Sequence, residues 1–398
     1  MIKTKATLLR GGYRNPLWIG VIALLLLSLM NATLSARGGV SGTGGRLIGF
    51  SSIIVNGRLF KTQAADIQIN GQPALESELK LGATLYVEAP IGSQDASSVS
   101  YFDQIAGVIE NVQLTANLLK LSILGQTVEV NLETVVHGGT SGLLQAGTEI
   151  AASGLHRPDG ALVATHVELR PLNQLQIIGT VSDLGSTSFQ VNDLTVDFSQ
   201  ALLDGALQPL SEGDWVRVIT APANYDGEVM FANEVLAQTI GTSLLTDLSI
   251  EGIISARLSP NEFVVDDQLV RVDEQTIGYP DPALLQPGDA VISSGQLTRT
   301  GTLLAQSISL LAQASEEVIG VITDIEADDG DLEISVNGED FDLDGFIIFE
   351  DASTVADRDF GADDLSVGTP VRLAVAREEE DGNDDDDDVQ VRRLTRLD

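Results

Sequence analysis

The 398-residue sequence contains no cysteine. That excludes disulfides, iron–sulfur ligation, a thiol nucleophile and the lipid-modified cysteine of an exported lipoprotein, and it leaves both cytosolic and exported locations open. Aromatic residues make up 5% of the chain, and past the N-terminal segment Trp215 is the one tryptophan. Stacking surfaces for bases and sugars are therefore scarce. The only histidines, His137, His156 and His166, fall in one stretch, but none has the i, i+4 or His-x-His spacing that puts two imidazoles on one metal. No Gly-x-Gly-x-x-Gly joins a strand to a helix, no phosphate loop ends in Gly-Lys-Ser/Thr, and no Gly-x-Ser-x-Gly elbow presents a nucleophile. The chain reads as a non-enzyme, with no catalytic and no cofactor-binding residue to name.

Basic residues are also few, 22 against 58 acids, for a net charge of −36. Four of them, Lys3, Lys5, Arg10 and Arg14, precede Leu17 in a segment without an acid. A surface this acidic repels phosphate backbones and anionic head groups, so nucleic acid is excluded as a partner, and a membrane is met only through the N-terminal segment. There, Leu17 to Leu34 forms an uncharged run of 18 residues. It is long for a secretory h-region and nearly long enough to span a bilayer, so residues 1–36 are a signal peptide or an N-terminal membrane anchor. The positive-inside tendency then places the rest outside the cytoplasm, in the periplasm or cell envelope, with residues 17–34 as the inner-membrane anchor if they are retained. Residues 37–45, Arg-Gly-Gly-Val-Ser-Gly-Thr-Gly-Gly, read as a flexible glycine-rich linker.

What the chain has in abundance is repetition. A leucine, a glycine three residues on and an apolar residue three further recur as Leu79/Gly82/Leu85, Leu144/Gly147/Ile150, Leu210/Gly213/Val216, Leu285/Gly288/Val291 and Leu365/Gly368/Val371. The spacing suits a small domain rather than a solenoid coil. Most units open on an apolar strand around a glycine, such as Ile105-Ala-Gly107-Val-Ile and Ile250-Glu-Gly252-Ile-Ile. Hairpin chemistry follows at Asn56-Gly57, Asn192-Asp193, Asp266-Asp267 and Asn337-Gly338, residue pairs that accept the positive φ of a tight turn. Period-two alternation, as in Trp215–Ile219, and a second hairpin at Asp159-Gly160, Asp226-Gly227 or Thr300-Gly301 complete the unit. The fold class is all-β: a tandem array of about five small OB-like barrels after an N-terminal hydrophobic helix. The modules span 46–103, 104–173, 174–247, 248–315 and 316–398.

The segment Gly44-Gly45-Arg-Leu-Ile-Gly49-Phe50 through Asn56-Gly57, with Ile69-Asn70-Gly71-Gln72-Pro73 and Leu79-Lys-Leu-Gly82, resembles the exported bacterial repeat family catalogued as domain of unknown function 5666. Later phrases are similar to its units over residues 44–398. The resemblance implies an envelope-exposed, multi-barrel, non-catalytic protein, and it carries over no activity.

The fifth module departs from the others by replacing its second hairpin with Glu378, Glu379, Glu380, Asp381, Gly382, Asn383, Asp384, Asp385, Asp386, Asp387 and Asp388. Its nine acids are the only candidates for metal, as a loop that collects Ca²⁺ loosely by charge with no rigid cage. Asp324-x-Glu326-x-Asp328-Asp329-Gly330 fails as a calcium loop, because its glycine comes one place late and the twelfth position is Ser335. Two function classes stay open: a structural or interaction protein whose partner is an envelope protein or polymer, and a small-ligand, oligosaccharide or divalent-cation binding array. Trp215, Tyr225 and Phe231 gathered in one groove would favour the second.

Overall fold

Alternating apolar residues become strands here because one face can be buried while the other meets solvent, and a residue able to hold positive φ reverses each pair. The structure, a computed structural model, describes residues 39–50, 52–115, 117–238, 245–279, 281–328, 331–343, 345–377 and 389–398. The hydrophobic helix expected over residues 17–34 lies outside them. Among the described residues no helix is long and apolar enough to cross a membrane. They form strands joined by loops and three-residue 3-10 turns.

Five barrels share one plan, clearest in the fourth. Its long opening strand, Leu245–Ser259, pairs antiparallel with Ala290–Leu297 over its first half and with Glu262–Val265 over its second. Glu262–Val265 turns back as Gln268–Arg271, which lies parallel to the closing strand Leu303–Leu310, itself antiparallel to Ala290–Leu297. The circuit runs 1-2-3-5-4-1, the closed order of an OB-type barrel. The same parallel closure joins Lys61 to Asp95, Gln126–His137 to Leu162–Leu169, Leu194–Asp197 to Val229–Phe231, and Asp342 to Gln390.

The repeated Leu-x-x-Gly phrase occupies one place in all five circuits. A 3-10 turn ends one residue before the leucine in four barrels and three residues before it in barrel 3, and the glycine takes positive φ at Gly82, Gly147, Gly213, Gly288 and Gly368. That conformation turns the glycine N–H onto the opening strand, where it donates to the carbonyls of Leu47, Ile109, Val181, Ile254 and Ile322. An L-residue there would crowd its own carbonyl, so the phrase is a backbone requirement and not a ligand cradle.

The glycine-rich segment 37–45 is not a tether throughout. From Val40 it is already the opening strand of barrel 1, Val40–Gly49, held between Thr84–Pro90 and the opening strand of barrel 4. Its glycines serve close packing: a Cβ on Gly42 would strike the Tyr86 hydroxyl, and one on Gly45 the Asn56 side chain. Composition alone does not separate such glycines from flexible ones.

The barrels are fused as well as strung together. Val40–Gly44 pairs parallel with Leu245–Ile250, so barrels 1 and 4 share one sheet, and Ile105–Ala106 pairs antiparallel with Gln176–Ile177, so barrels 2 and 3 share another. Barrels 2 and 3 also bury one continuous apolar core. Barrel 5 rests on barrel 1 through Phe346, packed at the Asn56-Gly57 turn, and through Arg358, whose guanidinium lies 3.6 Å from the Phe50 ring centroid.

Candidate functional site: a buried charge junction

In each opening strand a glycine lies where the first hairpin crosses it: Gly45, Gly107, Gly179, Gly252 and Gly320 face Asn56, Ile123, Val191, Val265 and Val336. The residues flanking this glycine point away from their own barrel, because side chains alternate along a strand. In barrels 1 and 4 two of them are charged, Arg46 and Glu251, and the shared sheet brings them together. Arg46 Nε donates to Glu251 Oε1 at 2.5 Å, and the Arg46 backbone N–H donates to Oε2 at 2.8 Å.

Barrel 2 supplies the second carboxylate. Its third strand shifts register between Val130 and Val135, and the bend turns Glu133 inward to accept from Arg46 Nη1 at 2.7 Å. Glu133 Oε1 also accepts the Ala314 N–H, at 2.8 Å, from the connection between barrels 4 and 5. Barrel 5 contributes Arg392, whose Nε lies 3.9 Å from Glu133 Oε2 and has no hydrogen-bond partner among the described residues. All four side chains are buried, two cations against two anions.

Burial works against the charge on Arg46, but Glu251 and Glu133 outweigh it and hold the guanidinium above the ordinary arginine value. Burial works against Glu133 too. Arg46, Arg392 and the Ala314 N–H reverse the effect and keep its carboxyl below its usual value. For Arg392 burial prevails over the attraction of Glu133, and its pKa falls below that of a free arginine. The adjoining cavity, lined by Arg46, Asn131, Glu133, Leu155 and Ile253, measures about 20 Å³. That is room for one water, whereas a small-molecule site needs hundreds of cubic ångströms. The arrangement fixes the relative position of four barrels, and it offers no space for a substrate.

A second polar junction joins barrels 1, 2 and 3. Asp103 accepts from Asn70 at 2.7 Å, Tyr101 at 2.8 Å and Arg170 at 2.6 Å, while Arg217 donates to the Asn70 carbonyl at 2.8 Å. Burial and the neighbouring Asp103 push the Tyr101 hydroxyl well above its usual pKa.

Two of the three histidines do converge. The His137 and His166 rings lie 5.0 Å apart, and His137 Nε2 and His166 Nδ1 both donate to the Leu81 carbonyl, at 3.1 and 3.2 Å. The shared partner is a backbone carbonyl of barrel 1, and burial lowers both pKa values, that of His166 to about 3. His156 stands apart, 3.7 Å from Asp266 of barrel 4. Among the described residues no group of His, Asp or Glu is arranged to hold a metal. The acidic candidates Glu378 to Asp388 lie outside the described residues.

The three aromatics do not share a groove. Trp215 begins the strand Trp215–Thr220, whereas Phe231 accepts a hydrogen bond from Thr220 at the far end, roughly 16 Å away for a six-residue strand. Tyr225 bridges to Met230 near that far end and donates to Glu110 of barrel 2 at 2.9 Å. The buried charges carried one local signal in the sequence, since Glu251 interrupts the apolar run Ile250 to Ile254, but nothing nearby names its partner.

No curated relative matches the chain. Among solved structures, a chain described as Drosophila Unr CSD456 is 13% identical over 52% of this chain and 97% of its own length. Its TM-score is 0.15, too low to carry an argument. Residues 106–168 of barrel 2 and 251–309 of barrel 4 match the family described as domain of unknown function (DUF5666), and these two barrels are members of it.

Proposed function

We propose that the protein is a non-catalytic scaffold of the cell envelope, exported through its N-terminal segment, that works by binding a basic partner or one bridged to it by cations. The observation that carries this reading is the buried junction of Arg46, Glu133, Glu251 and Arg392. A charge set that spans four barrels and encloses only a water-sized space serves rigidity, and rigid modules present many weak contacts at high effective concentration. The first-hairpin turns support the same view: Asn56-Gly57, Gly125, Asn192-Asp193 and Asp266 all meet another barrel of the chain. On OB-type barrels the sheet face and loops around this hairpin are where ligands sit.

The test is affinity capture of the body from envelope extracts across a salt series. The acidic surface attracts the partner over distances set by the Debye length, so capture weakens as salt rises. Retention unaffected by salt would move the contact to apolar surface. Turnover of any substrate, abolished by one side-chain change, would overturn the binding reading altogether. Export is tested separately by fractionation with external protease, where protection of the barrels by an intact inner membrane would contradict it.

A further inference from the structure

We propose that barrel 5 binds a second copy of this chain, edge to edge, through the first half of its opening strand, Glu316–Asp328. In each of the other barrels the corresponding half-strand uses the edge left free by its own barrel to pair with another opening strand: barrel 1 with barrel 4, and barrel 2 with barrel 3. Five barrels leave one over. Among the described residues the strand Glu316–Asp328 pairs only with Asp331–Val336 and Pro370–Arg377, both from its own barrel.

The pairing of barrels 2 and 3 shows what this edge is shaped for. Ile105 lies opposite Ile177, and each stands two residues before the opening-strand glycine, Gly107 or Gly179. The hairpin tips meet in the same way, since a Cβ on Gly125 would lie 3.6 Å from the Asp193 backbone, and each of these residues is second after the strand end. Equivalent positions facing each other in two separate places define a local two-fold axis. Transferred to barrel 5, they become Val318 opposite its own mate and Gly338 opposite its own mate.

Both places are open. Ile319 is 52% exposed, whereas Ala106 and Ile178, which correspond to it, are 3% and 4% exposed. Among the described residues no atom beyond its own chain neighbours lies within 4 Å of a Cβ built on Gly338. The backbone is also prepared. In barrel 3 the Ile178 N–H donates across the edge to the Gln104 carbonyl at 2.8 Å, and by the same alternation the Ile319 N–H faces the free edge, with the Glu317 carbonyl as its acceptor in the mate. The Ile319 carbonyl accepts from Asn337 Nδ2 at 3.0 Å, just as the Gly44 carbonyl accepts from Asn56 in barrel 1, whose edge is paired. Glu316 and Glu317 are matched by Arg377 and Arg372 on the neighbouring strand, so the edge does not repel its copy. A two-fold contact closes at two copies and leaves no edge to propagate.

Sedimentation of the full chain in a neutral detergent, at low and at high salt, measures the association. The salt series matters because nine acids lie in sequence between Arg377 and Val389. A concentration-dependent dimer is expected, and Ile319→Lys, at an exposed position, should raise its Kd by about tenfold or more while circular dichroism stays unchanged. The absence of cysteine allows a register test independent of that variant. Residues 317 and 319 of the two copies fall directly opposite, a distance a disulfide can span. A mixture of Glu317→Cys and Ile319→Cys chains should therefore crosslink, and neither should crosslink alone. A monomer at every salt and concentration, or a dimer indifferent to Ile319→Lys with no mixed crosslink, would overturn the proposal and leave the scaffold reading standing. So would capture of a different envelope protein by this strand from a chain that remains monomeric.

Discussion

Single residues carry the repeat in two ways that mutation can separate. Gly288 has positive φ and open space around it, so Gly288→Ala suffers backbone strain alone, about 1–2 kcal/mol. Gly82 has the same conformation, but its Cβ would strike the Thr165 carbonyl of barrel 2 and crowd Val135. Gly82→Ala is therefore expected to destabilise more than Gly288→Ala in chemical denaturation; equal losses would show that the contact between barrels 1 and 2 yields freely. The buried histidines make stability depend on pH. His166 has a folded pKa of about 3, below its unfolded value, so its neutral form contributes stability that is complete above about pH 6.5 and lost as pH falls toward 3. Between pH 6.5 and 5 that amounts to about 2 kcal/mol for His166, and His137 acts in the same direction. His156 has the opposite sign, since Asp266 overrides burial to raise its pKa, so its contribution is present at low pH and lost as pH rises. Thermal melts of wild type and His166→Gln over this window check the prediction, and a parallel decline in both would remove His166 as its source.

At the scale of elements, the strands and turns were legible because their causes are local. Asn56-Gly57 and Asn337-Gly338 turn wherever they occur, and the Leu-x-x-Gly phrase needs only its own backbone and the next strand. The segment from Val40 to Gly45 was not legible, because its glycines answer to Tyr86 and Asn56, and no local pattern distinguishes them from a linker. The junction was still less so: Arg46, Glu133, Glu251 and Arg392 come from four barrels, and only the fusion of sheets brings them together. The acidic segment can be tested at this scale. Arg377 and Val389 are directly paired across the strands it joins, so replacing residues 378–388 by a two-residue turn leaves the hairpin intact. Calorimetry with millimolar Ca²⁺ should show weak binding to the whole chain that the shortened chain loses; equal binding by both would place the cations elsewhere.

For the molecule as a whole, shared sheets and a shared charge junction predict one cooperative unfolding transition in place of five. Glu133→Ala removes the anion that faces both arginines, leaving Arg392 buried with only the more distant Glu251 to offset its charge. A loss of about 3–5 kcal/mol is expected, the range for breaking a buried ion pair from one side. Scanning calorimetry reads both claims. The transition should shift down for this variant, and separate melting of one barrel in the wild type would show that the junction does not couple the modules.

The pairing of barrel 1 with barrel 4 also sets an order of events during synthesis. Val40–Gly44 leaves the ribosome well before the strand it needs, Leu245–Ile250, which follows some two hundred residues later. In the interval barrel 1 shows an unpaired edge that after Val40 holds only serine, threonine and glycine, residues that offer few apolar contacts to attract other chains. Arg46 gains Glu133 when barrel 2 appears and Glu251 when barrel 4 appears. The last member, Arg392, arrives on the final strand. A chain cut short before Val389 would carry Glu133 with one arginine fewer, so the closing strand of barrel 5 registers as stability at a point far from it in sequence.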